Sequence, residues 1–479
     1  MTATKPTERA APVPGSARPT QSSRTETVLL ALCAALALAL ALSSPPGVPQ
    51  QIWGGCAAVG YAAAALAAVR SARRWAPSTA VVAAVGTVVV PFVVLVVLDR
   101  AQMEVGVVER AGDLLLDTGS PYSEDPVRVS DFNPYLPGMA LFGLPHALFG
   151  EVPGAGLLAG PRWWFALCFL GTMVGAARVA GIGRRTRRAV ALVTVCPAVA
   201  LPLAIGGVDP PVVGMACLGL AYAGRGDAGR AGLALGLAAA LKWTAWPALP
   251  VVFALLAARR GGRAALRCAL STAAVLALVC APVVVAGARA CVQHVVLYPL
   301  GLADVPSSAA SPLPGHLLAT YVPHGTAVTL AALALAAVLM AASLVLRPPR
   351  TAWVAADRIA LGLILAMLLA PASRSGYLIY PLLLFVWFRI AALYGDEAVT
   401  PVRASAACRY GRVLWARGTR GPVRPECLRG AEASCRRPRS VRGAGELAGC
   451  GCPERGCREG RTAYASASPV RTVRGRRPR

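Results

Sequence analysis

Residues 232–250 read GLALGLAAALKWTAWPALP, and the one charge in that stretch decides how the chain is read. The protein has only two lysines, Lys5 and Lys242, and the second sits in otherwise apolar sequence. An ammonium in hydrocarbon costs about 2.5–3.5 kcal/mol on insertion scales unless it is paired or reaches an aqueous edge. The surrounding apolar run, 231–257, is bracketed by Arg225 and Arg230 before it and by Arg259, Arg260, Arg263 and Arg267 after it. Arginine-rich loops collect on the cytoplasmic side of a membrane, so this run begins and ends there. It is expected to be two short helices meeting near Lys242. Two roles for Lys242 stay open: it binds the phosphate of a lipid-linked substrate, or it snorkels to the interface beside an aromatic belt of Trp243 and Trp246. Gly232 and Gly236 are spaced for close packing against a neighbouring helix.

Outward from this hairpin, composition points to a bilayer. Of 479 residues, 56% are hydrophobic and 15% charged, with a mean hydropathy of +0.58, more apolar sequence than a soluble core of this length uses. The net charge of +26 invites a nucleic-acid reading. Yet residues 401–479 hold nineteen Arg against five acidic residues, and the remaining excess is spread over short loops between apolar runs. That is the pattern of positive-inside topology, and nucleic acid is set aside as a partner. Of the fourteen Cys, six lie in the tail, at 408, 427, 435, 450, 452 and 457. Their irregular spacing, with no His in the tail, reads as unpaired thiols, neither a zinc site nor a disulfide framework.

Loop charge then assigns sides. Residues 1–26 read as a disordered cytoplasmic leader, and spans are expected at 28–42, 52–69 and 79–98. The loop 99–138 carries eight carboxylates against three Arg and lies outside. Only one span, 163–180, separates it from the basic run 184–188, so the apolar segment 139–159 must start and finish outside, as a re-entrant or interfacial element. Spans at 189–205, 211–223, 266–286, 326–346, 359–369 and 377–393 follow, with a second outer loop at 287–325. The expected fold is an all-α polytopic membrane bundle of about ten spans plus re-entrant or interfacial helices, occupying 27–397, multi-pass in the cell membrane with both termini cytoplasmic. Residues 398–479 form an Arg- and Cys-rich disordered tail, expected to derive from a shifted reading frame.

The chemistry is expected in the outer loops. Glu104, Glu109 and Asp113 recur at helical intervals of five and four, and Gly119-Ser-Pro-Tyr122 closes that segment as a turn. A carboxylate at the membrane surface, partly desolvated, suits a base that deprotonates a sugar hydroxyl; for any one of them the bland alternative is a solvated acidic loop. Asp99 ends a span and lies nearest the headgroups. In the second loop, His294, His316 and His324 match no metal-ligand spacing and read as surface or sugar-contacting groups. Arg374, in Pro371-Ala-Ser-Arg374-Ser-Gly-Tyr377, either holds an anionic headgroup or anchors its helix.

Taken in order, Glu104 through Gly119-Ser-Pro-Tyr122, Asn133-Pro-Tyr-Leu-Pro137, the Gly232-to-Lys242 stretch followed by Pro247, and the Pro371-to-Tyr377 loop resemble glycosyltransferase family 87, a GT-C group of polyprenyl-phosphate-mannose-dependent transferases. The resemblance covers roughly residues 95–393. It implies a GT-C-like fold and inverting transfer of a sugar, mannose by analogy, from a polyprenyl-phosphate donor to a lipid or glycan acceptor outside the cytoplasm, among membrane lipids and with no cofactor or metal. Glu104 or Asp99 would be the base; Lys242, Glu109, Asp131, Asn133, Tyr135, Arg374, Tyr377 and His316 would bind substrate. The family has Asp where this chain has Glu104, and the acidic loop here follows the third span. The competing reading is a multi-span transporter or lipid flippase, for which broken helices and intramembrane charge are equally natural. The absence of an internal repeat counts against it.

Overall fold

The computed structural model describes residues 21–71, 75–152, 156–305 and 309–394. The expected tail and residues 1–20 of the expected leader lie outside them; residues 21–26, expected to be disordered, are instead the start of a helix, with Glu26 buried. Every element among the described residues is helical; one isolated bridge joins Ala310 to Ser373. In chain order the principal helices are α1 (Gln21–Ser43), α2 (Pro49–Arg70), α3 (Pro77–Val97), α4 (Met103–Thr118), α5 (Pro161–Val179), α6 (Thr186–Thr194), α7 (Pro197–Ile205), α8 (Asp209–Arg225), α9 (Ala228–Leu241), α10 (Ala248–Arg260), α11 (Gly262–Val292), α12 (Pro314–Tyr321), α13 (Gly325–Leu346), α14 (Ala352–Leu369) and α15 (Ile379–Tyr394).

Seven of these segments are long and apolar enough to cross a membrane: those of α1, α2, α3, α11, α13, α14 and α15. Counting the bent pair α6–α7 as one more makes eight. The difference from about ten spans has a local cause. Three expected spans are not among the seven: 163–180 is the 19-residue helix α5, which carries Arg162 and Arg178 near its ends; 189–205 is two helices bent by 78°, broken at Cys196-Pro197; and 211–223 lies in the 17-residue helix α8. Val285, Val345, Leu346 and Leu278 are each more than three-quarters exposed, the outward apolar surface expected of helices in lipid. Thus the chain is a polytopic helical membrane protein.

Helices α1–α3 form one packed group, whose core of Leu30, Trp53, Tyr61, Phe92 and Leu95 continues onto Val195, Ala200 and Ile205 of the bent pair. Backbone groups freed inside a membrane must be answered by the protein. Pro91 has no N–H to give Thr87, four residues earlier; the Thr87 carbonyl instead receives the Trp53 indole N–H at 2.9 Å. Similarly, the Val195 carbonyl, at the break between α6 and α7, accepts from the Tyr61 hydroxyl at 2.5 Å.

A larger core runs through α5, α8, α9, α10, α14 and α15. The apolar run 231–257 is two helices, α9 and α10, that part at Lys242. Gly232 and Gly236 lie against Cys268, Thr272 and Val275 of α11, where a Cβ would meet the neighbouring backbone. Helix α4 buries the stripe Glu104, Val105, Val107, Val108, Ala111 and Gly112 and ends at Gly119, which takes the left-handed φ of 75° that favours glycine. The segment 139–159 is a 3-10 turn (Pro137–Phe142) and two short helices, Leu144–Phe149 and Gly156–Ala159, none long enough to span.

Glycines set the seat of α4. A Cβ built on Gly112 would stand 2.5 Å from the Gly143 backbone, and one on Gly138 would stand 2.8 Å from the Ala240 carbonyl. These contacts press α4 onto the short elements after it and those onto the end of α9. Gly112→Ala is therefore expected to lower stability by about 1–3 kcal/mol through overpacking, read as an earlier thermal unfolding transition in detergent. An unchanged transition would mean that α4 is not held by this contact.

Candidate active site

Four breaks in helical structure converge on one cavity. The first is the start of α4, where Gln102 donates its N–H to the Ile205 carbonyl at 2.9 Å and Glu104 falls in the first turn. The second is the start of α8, which opens with Asp209-Pro210-Pro211. The third is the end of α9. Lys242 there turns extended (φ −159°, ψ 145°), and the chain passes through a 3-10 turn at Trp243–Ala245 into Pro247 and α10. The Trp246 indole N–H donates to Ala239 O at 3.1 Å, and the Leu136 N–H to Leu241 O at 3.1 Å; both carbonyls belong to the last turn of α9, which a helix leaves without internal donors. The fourth break is the loop between α14 and α15, carrying Ser373, Arg374 and Tyr377.

The cavity has a volume of about 280 Å³, near the small end of ligand sites, about 300 Å³. Its polar wall includes Glu104, Tyr135, Lys242, Thr244, Ser373, Arg374, Tyr377 and Tyr380. Its apolar wall includes Met103 and Val107 of α4 and Leu363, Ala366, Met367 and Ala370 at and just beyond the end of α14.

Two ion pairs organise the polar groups. Arg374 Nη1 donates to Glu104 Oε1 at 2.6 Å, and Lys242 Nζ donates to Asp209 Oδ1 at 2.6 Å. The ammonium also lies 4.8 Å from the centre of the Tyr377 ring and 5.5 Å from that of Tyr135, the range of cation–π attraction. Tyr380 donates its hydroxyl proton to Asp209 Oδ1 at 2.7 Å and accepts from Thr244 at 2.7 Å. Glu104 is 5% exposed, and its second oxygen, Oε2, is buried with no hydrogen-bond partner among the described residues. Burial pushes the Glu104 carboxyl above the ordinary carboxylate range, while Arg374 and, less strongly, Lys242 pull it back. Ser373 Oγ, also in the wall, is the other buried polar atom of the cavity that lacks a partner among the described residues.

Five residues singled out from sequence meet at this cavity: Glu104, Tyr135, Lys242, Arg374 and Tyr377. Five do not line it. Asp99 ends α3 at a left-handed φ of 48° and is exposed; its charge acts on Glu109 and Arg162. Glu109 faces His146 at 3.9 Å. Asp131 closes the 3-10 turn Val129–Asp131, where the Arg128 backbone N–H and side chain hold its carboxyl down to about 2. Asn133 braces the turn through Pro121 O and the Tyr135 N–H. His316 donates from Nδ1 to the Pro371 carbonyl, 3.0 Å away, and so ties α12 to the Arg374 loop. His294 is fully buried, accepting the Asn133 N–H at Nδ1 (2.9 Å) and donating from Nε2 to Ser123 O (2.8 Å), which fixes the segment 123–133 next to the end of α11.

Sequence reasoning passed over Asp209, Tyr380 and Thr244. For Asp209 a signal existed: a carboxylate opening an apolar helix and followed by two prolines is an ionisable group with no local donors. Nothing in the order of residues marks Tyr380 apart from other aromatics of its span.

Among known proteins, the family model described as glycosyltransferase family 87 matches residues 133–371. The match contains Tyr135, Asp209 and Lys242 and stops short of Glu104 on one side and Arg374 on the other. No curated protein and no solved structure matches the chain.

Removing one partner of a buried pair leaves the other charge uncompensated, at about 3 kcal/mol for a partly shielded site. Arg374→Met is expected to destabilise by that amount at neutral pH. The sign of the pH dependence follows from Glu104, whose folded carboxyl titrates above its unfolded value. The penalty of its charged form is relieved as pH falls through that raised value, so the deficit of Arg374→Met should shrink as the solution is acidified through that range. Thermal unfolding across that window checks this; a deficit independent of pH would separate Arg374 from Glu104.

Proposed function

Since this chain belongs to glycosyltransferase family 87 and is a membrane glycosyltransferase, we propose that it moves mannose from a polyprenyl-phosphate donor to a lipid or glycan acceptor at the extracytoplasmic face of the cell membrane. One observation carries this reading. A buried carboxylate oxygen without a partner among the described residues, Glu104 Oε2, belongs to the same cavity wall as two cations, Lys242 and Arg374. Those are the two complements that transfer from a sugar phosphate requires: a base for the incoming hydroxyl and positive charge for the departing phosphate.

In the proposed reaction Glu104 Oε2 accepts the proton of the acceptor hydroxyl. The acceptor oxygen bonds to the anomeric carbon on the face opposite the phosphate, and the bond from that carbon to the phosphate oxygen breaks with its electron pair on the leaving group. The donor phosphodiester carries one negative charge and the released monoester up to two. As the phosphate gains charge beside Lys242 and Arg374, Glu104 loses its own to the proton, so the net charge inside the cavity stays constant. That balance matters where charge is poorly solvated. Competition between the phosphate and Glu104 for Arg374 adds to it, because a carboxylate released from its guanidinium is a stronger base. The apolar groups at the end of α14 suit the first isoprene units of the donor. The acidic loop and the basic loops lie on opposite sides by the positive-inside rule, which supports the outward orientation of the site.

Glu104→Gln in the purified protein, reconstituted with polyprenyl-phosphate mannose and mixed acceptors, is expected to lower transfer by about 10²–10⁴-fold with donor binding retained. If Asp99→Asn abolishes transfer and Glu104→Gln does not, the base is Asp99. Lack of transfer by the well-folded wild type with every acceptor tried would speak against this donor.

The pH profile provides a separate check. A base works when deprotonated, so activity is lost as pH falls through the Glu104 value. Because burial raises that value, the loss is expected to begin at higher pH than for an exposed carboxylate. Arg374→Met, which removes the largest opposing influence, should move the acid limb higher still. A limb left in place by Arg374→Met would argue that another group titrates.

A further inference from the structure

Asp209 is buried and is not among the residues that line the cavity. It opens α8, a position where a carboxylate would ordinarily take the free amides of its own helix. Pro210 and Pro211 follow it, and neither has an N–H to offer. The carboxylate is thereby released from local capping and turned to partners far along the chain.

Those partners form a closed arrangement. Asp209 Oδ1 receives Lys242 Nζ at 2.6 Å and the Tyr380 hydroxyl at 2.7 Å. Tyr380 in turn receives Thr244 at 2.7 Å, and Thr244 stands two residues from Lys242. The ring ties the start of α8, the break after α9 and the first turn of α15. Asp209 and Lys242 are both under one-tenth exposed. A buried ion pair of this kind adds little net stability compared with an apolar pair. What it fixes is the place and the charge of the lysine. An ammonium has three donors; one is spent on Asp209, and Lys242 itself lines the cavity.

We infer that Asp209 is a positioning residue for sugar transfer: backed by Tyr380 and Thr244, it holds Lys242 at the cavity wall with its remaining donors available to the donor phosphate. This rests on the proposed role of Lys242. Asp209 acts through the lysine and touches no reacting atom.

Binding of a short-chain polyprenyl phosphate to the full chain in nanodiscs tests this without requiring turnover. Lys242→Met is expected to weaken binding about tenfold or more, the scale of a lost charge-assisted hydrogen bond. Asp209→Asn should weaken it by a similar factor and Tyr380→Phe by a few-fold, with Asp209→Glu recovering part of the loss. The combined variant Asp209→Asn/Lys242→Met should bind no more weakly than Lys242→Met alone, because a residue that acts only through Lys242 has nothing left to act on. A merely structural Asp209 would give losses that multiply, and that result would overturn the inference. So would wild-type binding by Asp209→Asn beside a defective Lys242→Met. Wild-type binding by Lys242→Met would instead remove the phosphate role of Lys242 beneath it. Should Asp209→Asn not fold, Tyr380→Phe with and without Lys242→Met gives the same comparison: a few-fold loss confined to the Lys242 background supports the inference, and an equal loss in both overturns it.

Discussion

A charge buried in a membrane protein has to be answered from within the protein, and the architecture follows from how Lys242 is answered. Its counter-ion comes from 33 residues earlier in the chain, at the head of a helix whose next two residues cannot donate hydrogen bonds. For the two to meet, α9 must stop where it does, α8 must begin where it does, and the aromatic side chains of the α15 segment must close over the pair. The helix breaks are thus the means by which side chains reach the centre of the bundle. They are tolerated for the reason that irregular backbone is tolerated at membrane depth in general: it lines a protected space and its freed carbonyls find donors. Trp53, Tyr61 and Trp246 supply such donors at three separate breaks.

The site has the make-up that the proposed transfer from a lipid-borne sugar requires. One wall is polar and densely charged, another is apolar, and the two are built from different parts of the chain. Helix α4 brings the carboxylate, the α9–α10 break the lysine, and the loop after α14 the arginine. Histidine serves elsewhere: His294 and His316 fasten loops to helix ends. Asp131 and Asn133 do the same for the turn that leads to Tyr135. The cavity is therefore framed by polar residues whose work is structural.

Much of this was legible in the sequence. Flanking arginines showed that 231–257 must turn back at Lys242, because charge placement obeys a one-sided rule that survives without any structure. The spacing of Glu104, Glu109 and Asp113, closed by Gly119, announced α4, because helical period and a left-handed glycine are local properties. Pairing was not legible. Arg374 and Glu104 are 270 residues apart, and nothing local ties them. Glu104 and Asp99 look alike in sequence, two carboxylates at the edge of the membrane; burial alone separates them, and burial is a property of the packed whole. The span count differs for a related reason. Hydropathy measures apolar length, whereas the arginines near the ends of α5, the 78° bend at Cys196-Pro197 and the shortness of α8 decide whether a segment can cross.

The ion pairs of the bundle have one more consequence. Lys242 with Asp209, Arg374 with Glu104, and Arg389 with Asp357, the last a two-point contact at 2.7 and 3.2 Å between α14 and α15, each sum to zero charge within a few ångströms. A lone charge displaced across an energised membrane gains or loses about 2.3 kcal/mol per 100 mV, which is how voltage sensors and electrogenic carriers couple to the potential. Charges bound as adjacent opposites move together and feel almost none of that field. These three pairs are in this sense electrically silent, so the transmembrane voltage has little leverage on them.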